Sequence, residues 1–362
     1  MDIILIIFFM FVIYGAKFKH NGTYDDYLSK DSTIPLRGIF SVLVIFHHIS
    51  QRTSSGYIFN TLSYLGFLNV SVFFVLSGYG LLYQLNCKGD SYLDDFISKR
   101  FPSILIPYIN VNILYYILRN SLNIRTKVKD LLLGLINGTP IVSFSWYVIA
   151  LCYFYLSFYL SCKLFKKYTY ILISVFFCTC FYCIFCYSCN YESWWYNSIF
   201  SFLFGLILYV YRTTTKFKRI NINFYITMFT VLILFICCFS ACHLINQRLI
   251  RLCFQEVSSC LFPLSILLIC KKVKINNKCL TYLGTRSYEI YLAQEIPILI
   301  LRSDKLLFIN NDIIYSFLII VVSLICAEVL YRFDSWLIKK WKYLFTKINY
   351  ISPIKTTRSN IS

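Results

Sequence analysis

Residues 36–48 read LRGIFSVLVIFHH: an arginine at the head of an apolar run and two adjacent histidines, His47 and His48, at its foot. The chain holds only four histidines, so a pair of them in so greasy a setting asks for a reason. Outward from this run, apolar stretches of about 17 to 25 residues recur along nearly the whole chain, the length that crosses a hydrocarbon core about 30 Å thick. Of the 362 residues 58% are hydrophobic, 19% aromatic and only 14% charged, and mean hydropathy is +0.65. That composition excludes a soluble globular domain and makes residues 36–48 one span of an all-α, polytopic transmembrane helical bundle.

As helices, the runs fall near 2–16, 38–51, 64–85, 101–118, 142–162, 168–189, 196–211, 222–243, 252–270, 284–301 and 312–331, ten core helices behind an extra N-terminal one. Formal charge is +19, yet the 35 Lys and Arg lie in the breaks between spans rather than in one basic patch, so no nucleic-acid partner is expected. With the 17–37 break in the cytoplasm, alternation puts 26 of the 35 on the inner side, from Lys17 through the seven that begin at Arg332. This orients a multi-pass protein of the cytoplasmic membrane with its N-terminus outside and its C-terminus in the cytoplasm. The first run carries Asp2 instead of a basic leader, lacks a small-residue cleavage site and is followed by its positive charges. It reads as an uncleaved anchor, with an interfacial helix as the alternative because the run is short. The expected division is an anchor and cytoplasmic linker at 1–30, a membrane domain at 31–345 and a basic cytoplasmic tail at 346–362. The outer break at 119–141 carries Arg119, Arg125, Lys127 and Lys129 ahead of LLLGLI. It reads as a solvated loop, or more sharply as a re-entrant cradle for an anionic acceptor.

Sixteen cysteines lie mostly inside spans, where cysteine behaves as a small hydrophobe. Cys178, Cys180, Cys183, Cys186 and Cys189 have a spacing like that of an iron–sulfur site, but thiolates without partner charges are costly in a span, so no metal is expected.

On a helix turning 100° per residue, the eleven steps from Arg37 to His48 amount to three turns plus about 20°, which sets both side chains on one face. His47 points about 80° away. At 1.5 Å per residue His48 lies about 16 Å from Arg37, placing Arg37 at the cytoplasmic boundary and His48 near the middle of the bilayer. An ionisable group at that depth faces a cavity or a partner. The plainer reading is a histidine hydrogen-bonded between packed helices; the functional one is a base that takes a proton from a hydroxyl near neutral pH.

From about residue 33 to 340 the chain resembles the acyltransferase 3 family of integral-membrane O-acyltransferases, through five segments in that family's order. They are R-G with the R-x10-H spacing of Arg37 and His48, FFVLSGYGLL at 73–82, KRFPSILIPY at 99–108, SWYVIALCYFYL at 145–156 and LGTRSYEIYLAQ at 283–294. The resemblance implies ten core helices entering from the cytoplasm and an acyl-CoA donor, most often acetyl-CoA. It implies as acceptor a carbohydrate hydroxyl of a surface polysaccharide or lipid-linked oligosaccharide. The family's catalytic histidine and arginine carry over to His48 and Arg37, with Arg37, Lys99 and Arg100 suited to the phosphates of coenzyme A. Ser77, Trp146, Tyr147, Tyr288 and Gln294 are candidates for contact with the acceptor. Beside this stand plainer readings: Ser77, Gly78 and Gly80 as helix-packing residues, Trp146 and Tyr147 as interfacial anchors at the outer face. The chain departs from the family's pattern at Ser103, where a second arginine is usual, at Gln294, where histidine is common, and before Trp146, where a histidine often stands. Glu328 and Asp334 are the nearest acidic residues to the family's late carboxylate. Glu289 is read as an i, i+3 partner of Arg286. His48 as general base and His48 as acyl-carrying nucleophile both remain open. The rival class is a carrier or flippase of lipid-linked glycans, for which internal repeats and paired broken helices would speak. Oligomeric state is not legible.

Overall fold

The computed structural model describes residues 1–124, 126–213, 223–302 and 307–351. Arg125, Lys216, Lys218, Arg219 and the tail from residue 352 lie outside the described residues. In a bilayer every backbone N–H and C=O must be satisfied within the chain, and here helices do it throughout. They are α1 (Asp2–Ile13), α2 (Lys30–Ser50), α3 (Tyr57–Thr61), α4 (Gly66–Lys88), α5 (Ser91–Asp94), α6 (Phe96–Ser121), α7 (Val128–Ile136) and α8 (Trp146–Leu164). There follow α9 (Tyr168–Ser188), α10 (Phe200–Thr213), α11 (Phe224–Leu244), α12 (Arg248–Cys270), α13 (Lys278–Thr285), α14 (Ser287–Ala293), α15 (Glu295–Leu301) and α16 (Asp312–Ile351). Among the described residues nine helical segments are long and apolar enough to cross a membrane. The only paired strands among them, β1 (Lys17–Phe18) and β2 (Val273–Lys274), form a short antiparallel clip.

The bundle has a basic end and a histidine end. Ion pairs Lys166–Asp90, Lys163–Asp94 and Lys274–Asp26 link loops at the first. At the second, Asp312 accepts from the backbone N–H of Ser54 and Ser55 and pairs with Arg302. The short α1 reaches both: Asp2 accepts from the N–H of Tyr57 and Phe59, while Asn277, the N-cap of α13, donates to the carbonyls of Phe11 and Tyr14. The twelve residues of α1 are thus pinned along the bundle.

Two close helix contacts fix the frame. A Cβ on Gly78 would collide with the Phe202 carbonyl and one on Gly205 with that of Val75, so α4 and α10 approach backbone to backbone. Gly38 and Gly284 do the same for α2 and α13. Gly80, read beside them as a packing glycine, has no such neighbour within 4 Å.

Three departures from the sequence expectations position the site. First, α2 starts at Lys30, because the Ser29 hydroxyl caps it by accepting from the N–H of Ser32. Arg37 therefore stands two turns inside the helix rather than at its start, and His48 keeps its place in the last turn. Second, the expected span 284–301 is broken into α13, α14 and α15. Pro297, in the first turn of α15, has no N–H to return to the carbonyl of Ala293, so the ladder is interrupted at Gln294 and Glu295. The two breaks, at Arg286 and at Gln294, both fall in this one expected span. Third, α8 begins deep in the bundle. Gly66 lies against the His47 ring, Phe74 stands about 12 Å further along α4, and it is Phe74 that the rings of Trp146 and Tyr147 touch, at 6.4 and 4.8 Å. Both aromatics are 7% exposed, so the interfacial-anchor reading is replaced by a core position.

Candidate active site

The turn ahead of α8, Ser143–Ser145, descends into the bundle from the histidine end and brings Phe144 flat against His48, ring centroids 3.6 Å apart and 18° from parallel. The two histidines then do different work. His47 Nδ1 lies 3.0 Å from the Leu62 carbonyl, which can only accept, so that nitrogen carries the proton. Its Nε2 accepts from the Gln51 amide at 3.3 Å, and the Gln51 Oε1 accepts in turn from His48 Nδ1 at 3.3 Å. This chain of donors leaves the His48 Nε2 with its lone pair, in the tautomer a base needs. His48 is buried, yet Nε2 makes no hydrogen bond among the described residues and keeps access to open space, since it is not among the sealed polar atoms.

Beneath the Phe144 turn the broken helix supplies polar groups. Tyr291 donates its hydroxyl to the Phe144 carbonyl, and its ring meets that of Tyr147 at 5.4 Å. Tyr147 packs against Phe73 and Phe74 of α4, the helix that also carries Ser77, with ring centroids 6.4 and 4.8 Å apart. The structure thus joins His48, Phe144, Tyr291 and Tyr147 in one line of contacts from the histidine end toward the middle of the bundle, while Arg37 stands three turns before His48 on the same helix. Arg37 is half-buried and takes no carboxylate partner among the described residues. Tyr288 donates to the Ile104 carbonyl at 2.8 Å, tying α14 to α6. Gln294 is wholly buried; its Nε2 donates to the Tyr291 carbonyl and its Oε1 has no partner.

Lys99 and Arg100 stand apart from these contacts, at the basic end. Lys99 is exposed and paired with Asp95 at 2.5 Å, while Arg100 donates to the Tyr92 hydroxyl at 3.1 Å and stacks on that ring. The expected Arg286–Glu289 pair does not form: Arg286 joins Glu328 of α16, which also accepts from Tyr282 and Arg332. Asp334 accepts from Asn110 at 2.6 Å.

One residue the sequence reading passed over is Glu295. It is 5% exposed, its Oε1 accepts from the Ser143 hydroxyl at 3.3 Å, and its Oε2 is sealed without a partner. No Lys or Arg among the described residues forms an ion pair with it; Arg52 and Arg119 attract it only from longer range. The available signal was a carboxylate two residues before a proline inside an apolar run, a place where a membrane helix breaks over a polar site.

Comparison with known proteins adds one positive result. Residues 36–332 match the profile of the acyltransferase domain of the acyltransferase 3 family, from just before Arg37 to just beyond Glu328. No curated protein and no solved structure matches the chain. The match covers most of the sequence, so the chain belongs to the acyltransferase 3 family and is a membrane acyltransferase.

Proposed function

We propose that the protein is an O-acetyltransferase that moves the acetyl group of cytoplasmic acetyl-CoA to a hydroxyl of a surface polysaccharide or of its lipid-linked precursor. The observation that carries this reading is the His48 tautomer: Nδ1–H committed to Gln51, Nε2 open, and an unpaired Arg37 three turns away on the same helix face. With the basic end in the cytoplasm, as the distribution of Lys and Arg favours, Arg37 faces the donor side and His48 the acceptor side. The guanidinium suits a phosphate of coenzyme A, with Arg100 nearer the mouth, and the extended arm of the donor bridges toward His48.

In the direct route, the acceptor O–H gives its proton to His48 Nε2 as its oxygen forms a bond to the thioester carbonyl carbon. The C–S bond breaks, and the imidazolium returns the proton to the leaving thiolate. Gln294 Oε1 and Glu295 Oε2, buried acceptors with no donor of their own, fit the hydroxyls of a carbohydrate, and the rings of Tyr147 and Tyr291 fit its apolar face. An acyl-histidine route uses the same Nε2 as nucleophile and the same Arg37.

The test supplies membranes with radiolabelled acetyl-CoA and candidate glycans. His48→Ala abolishes label transfer at unchanged expression, Arg37→Gln raises the KM for acetyl-CoA, and His47→Ala keeps measurable activity. Normal transfer by His48→Ala refutes the site. Movement of lipid-linked glycan without consumption of acyl-CoA replaces the reading with that of a carrier.

A further inference from the structure

A cavity lies at the basic end, away from Arg37 and His48. It is a cleft of about 870 Å³ between α10 and α11, floored by α12 and roofed by residues 23–27. Its walls are apolar, with Leu208, Leu264, Leu267 and Leu268 among them, and its mouth carries Arg212 and Lys271. Arg212 is the penultimate residue of α10 and Lys271 directly follows α12, so both cations stand where two spans end, at the level of lipid headgroups.

The two cations flank one ring, Arg212 at 4.8 Å and Lys271 at 5.2 Å from the Tyr27 centroid. Arg212 donates to the Tyr79 hydroxyl at 3.0 Å and to the Asp25 backbone carbonyl, both neutral groups. Neither cation is ion-paired among the described residues; the exposed Asp25 carboxylate attracts Lys271 without pairing with it. Burial and the like charge of Arg212 pull the Lys271 amine below its usual pKa. Two crowded, half-buried cations that the nearby Asp25 carboxylate leaves unpaired offer room for an anion between them.

We propose that this cleft seats an anionic phospholipid, its phosphate between Arg212 and Lys271 and an acyl chain along the α12 leucines. The shape of the cleft selects a lipid over a soluble phosphate. Ile207 and Tyr211, on the flank of α10, are 42% and 50% exposed, so the cleft opens sideways to the bilayer. A small water-borne anion would meet the two cations but leave the leucine walls uncovered, whereas an acyl chain buries them. The seat lies on α10, α11 and α12, while the proposed donor path runs through α2, α4 and α8, so the two can be tested apart.

The experiment is native mass spectrometry of the full chain in detergent, titrated with phosphatidylglycerol, diacylglycerol or coenzyme A. The native chain should retain one phosphatidylglycerol through activation and no diacylglycerol. Each cation removed should weaken retention about tenfold, the worth of one charge-assisted contact, so Arg212→Gln with Lys271→Gln should abolish the adduct. Leu264→Trp, which fills the apolar floor and leaves both cations in place, should also expel the lipid, and it decides the matter if the double variant does not fold. Equal retention by Leu264→Trp, diacylglycerol held as tightly as phosphatidylglycerol, or one-for-one displacement of the lipid by coenzyme A would each overturn the proposal.

Discussion

Gln51→Leu isolates the hydrogen-bond chain that sets the His48 tautomer. Gln51 is exposed and touches no part of the Arg37 region, so its replacement leaves the line of contacts from His48 to Tyr147 intact while His48 Nδ1 loses its acceptor and His47 Nε2 its donor. Water can reach the vacated position, so the loss is the net worth of a neutral hydrogen bond, about 1 kcal/mol within a range of roughly 0.5 to 1.5. At 1.4 kcal/mol per factor of ten, the population with the lone pair on Nε2 falls about fivefold, between roughly twofold and tenfold at the limits. The kcat for acetyl transfer should fall by that factor, with the KM for acetyl-CoA unchanged because Arg37 lies three turns away. His48→Ala, which removes the base altogether, should cost about 10² to 10⁴. Gln51→Glu keeps an oxygen for His48 Nδ1–H to donate to but cannot donate to His47, so it should recover the rate that Gln51→Leu loses. Initial rates of label transfer across a range of acetyl-CoA concentrations measure all three. If Gln51→Leu is as inactive as His48→Ala, or if the leucine and glutamate variants behave alike, the chain from Leu62 through His47 and Gln51 does not set the working tautomer.

Glu295→Gln preserves shape and a hydrogen bond to Ser143 but withdraws the charge, and should raise the KM for the glycan about tenfold while leaving that for acetyl-CoA alone. Gly78→Leu should destabilise the detergent-solubilised protein by about 3 kcal/mol or more through collision with the Phe202 carbonyl, whereas Gly80→Leu should leave thermal unfolding unchanged. Lys274→Met, which breaks the exposed pair with Asp26, should cost at most about 1 kcal/mol, and less in high salt. The pair holds the Asp26 carboxyl below its ordinary 3.8 and the Lys274 amine above its ordinary 10.5. The carboxyl contribution is therefore present above pH 3.8 and lost as pH falls through the lower folded value. The amine contribution is present below pH 10.5 and lost as pH rises through the higher one, so stability measured near neutral pH should not change with pH on their account.

What the sequence made legible was whatever periodicity and chemistry decide along a single helix. The shared face of Arg37 and His48 is of that kind, as is the membrane-spanning helical class, because both follow from 3.6 residues per turn and from the thickness of hydrocarbon; the count was not, since eleven expected runs became nine membrane-length helical segments among the described residues, with 2–16 short and 284–301 broken. What it hid was where each helix begins in depth. The Ser29 cap extends α2 through KDSTIP, a stretch too polar to register as part of a span, and leaves Arg37 two turns inside the helix rather than at its start. The same loss explains Trp146 and Tyr147: an aromatic pair at the start of a span looks interfacial unless the turn before it is known to dive, and nothing in SFS alone says that it does. Lys99 and Arg100 show the converse, since adjacency in a motif brought them into the expected site while the fold gives Lys99 to Asp95 and Arg100 to Tyr92.

Glu295 is the sharper case, because its environment is made by two segments that sequence keeps far apart. A carboxylate in an apolar run is expensive in a bilayer, and the cost is bearable only where a broken helix and the Ser143 hydroxyl meet it. Its unpartnered Oε2 then has a definite meaning. A buried acceptor left without a donor is destabilising, so the fold carries a cost at that atom and at Gln294 Oε1 that only a bound hydroxyl or water relieves. An acceptor with hydroxyls at both positions would bind against a site already short of donors, whereas a substrate lacking one of them would leave that acceptor unrelieved. The selectivity of the protein among glycans should accordingly follow the number and spacing of free hydroxyls beside the reacting one rather than the size of the sugar. Deoxy analogues of an active glycan, compared for kcat/KM, would show it.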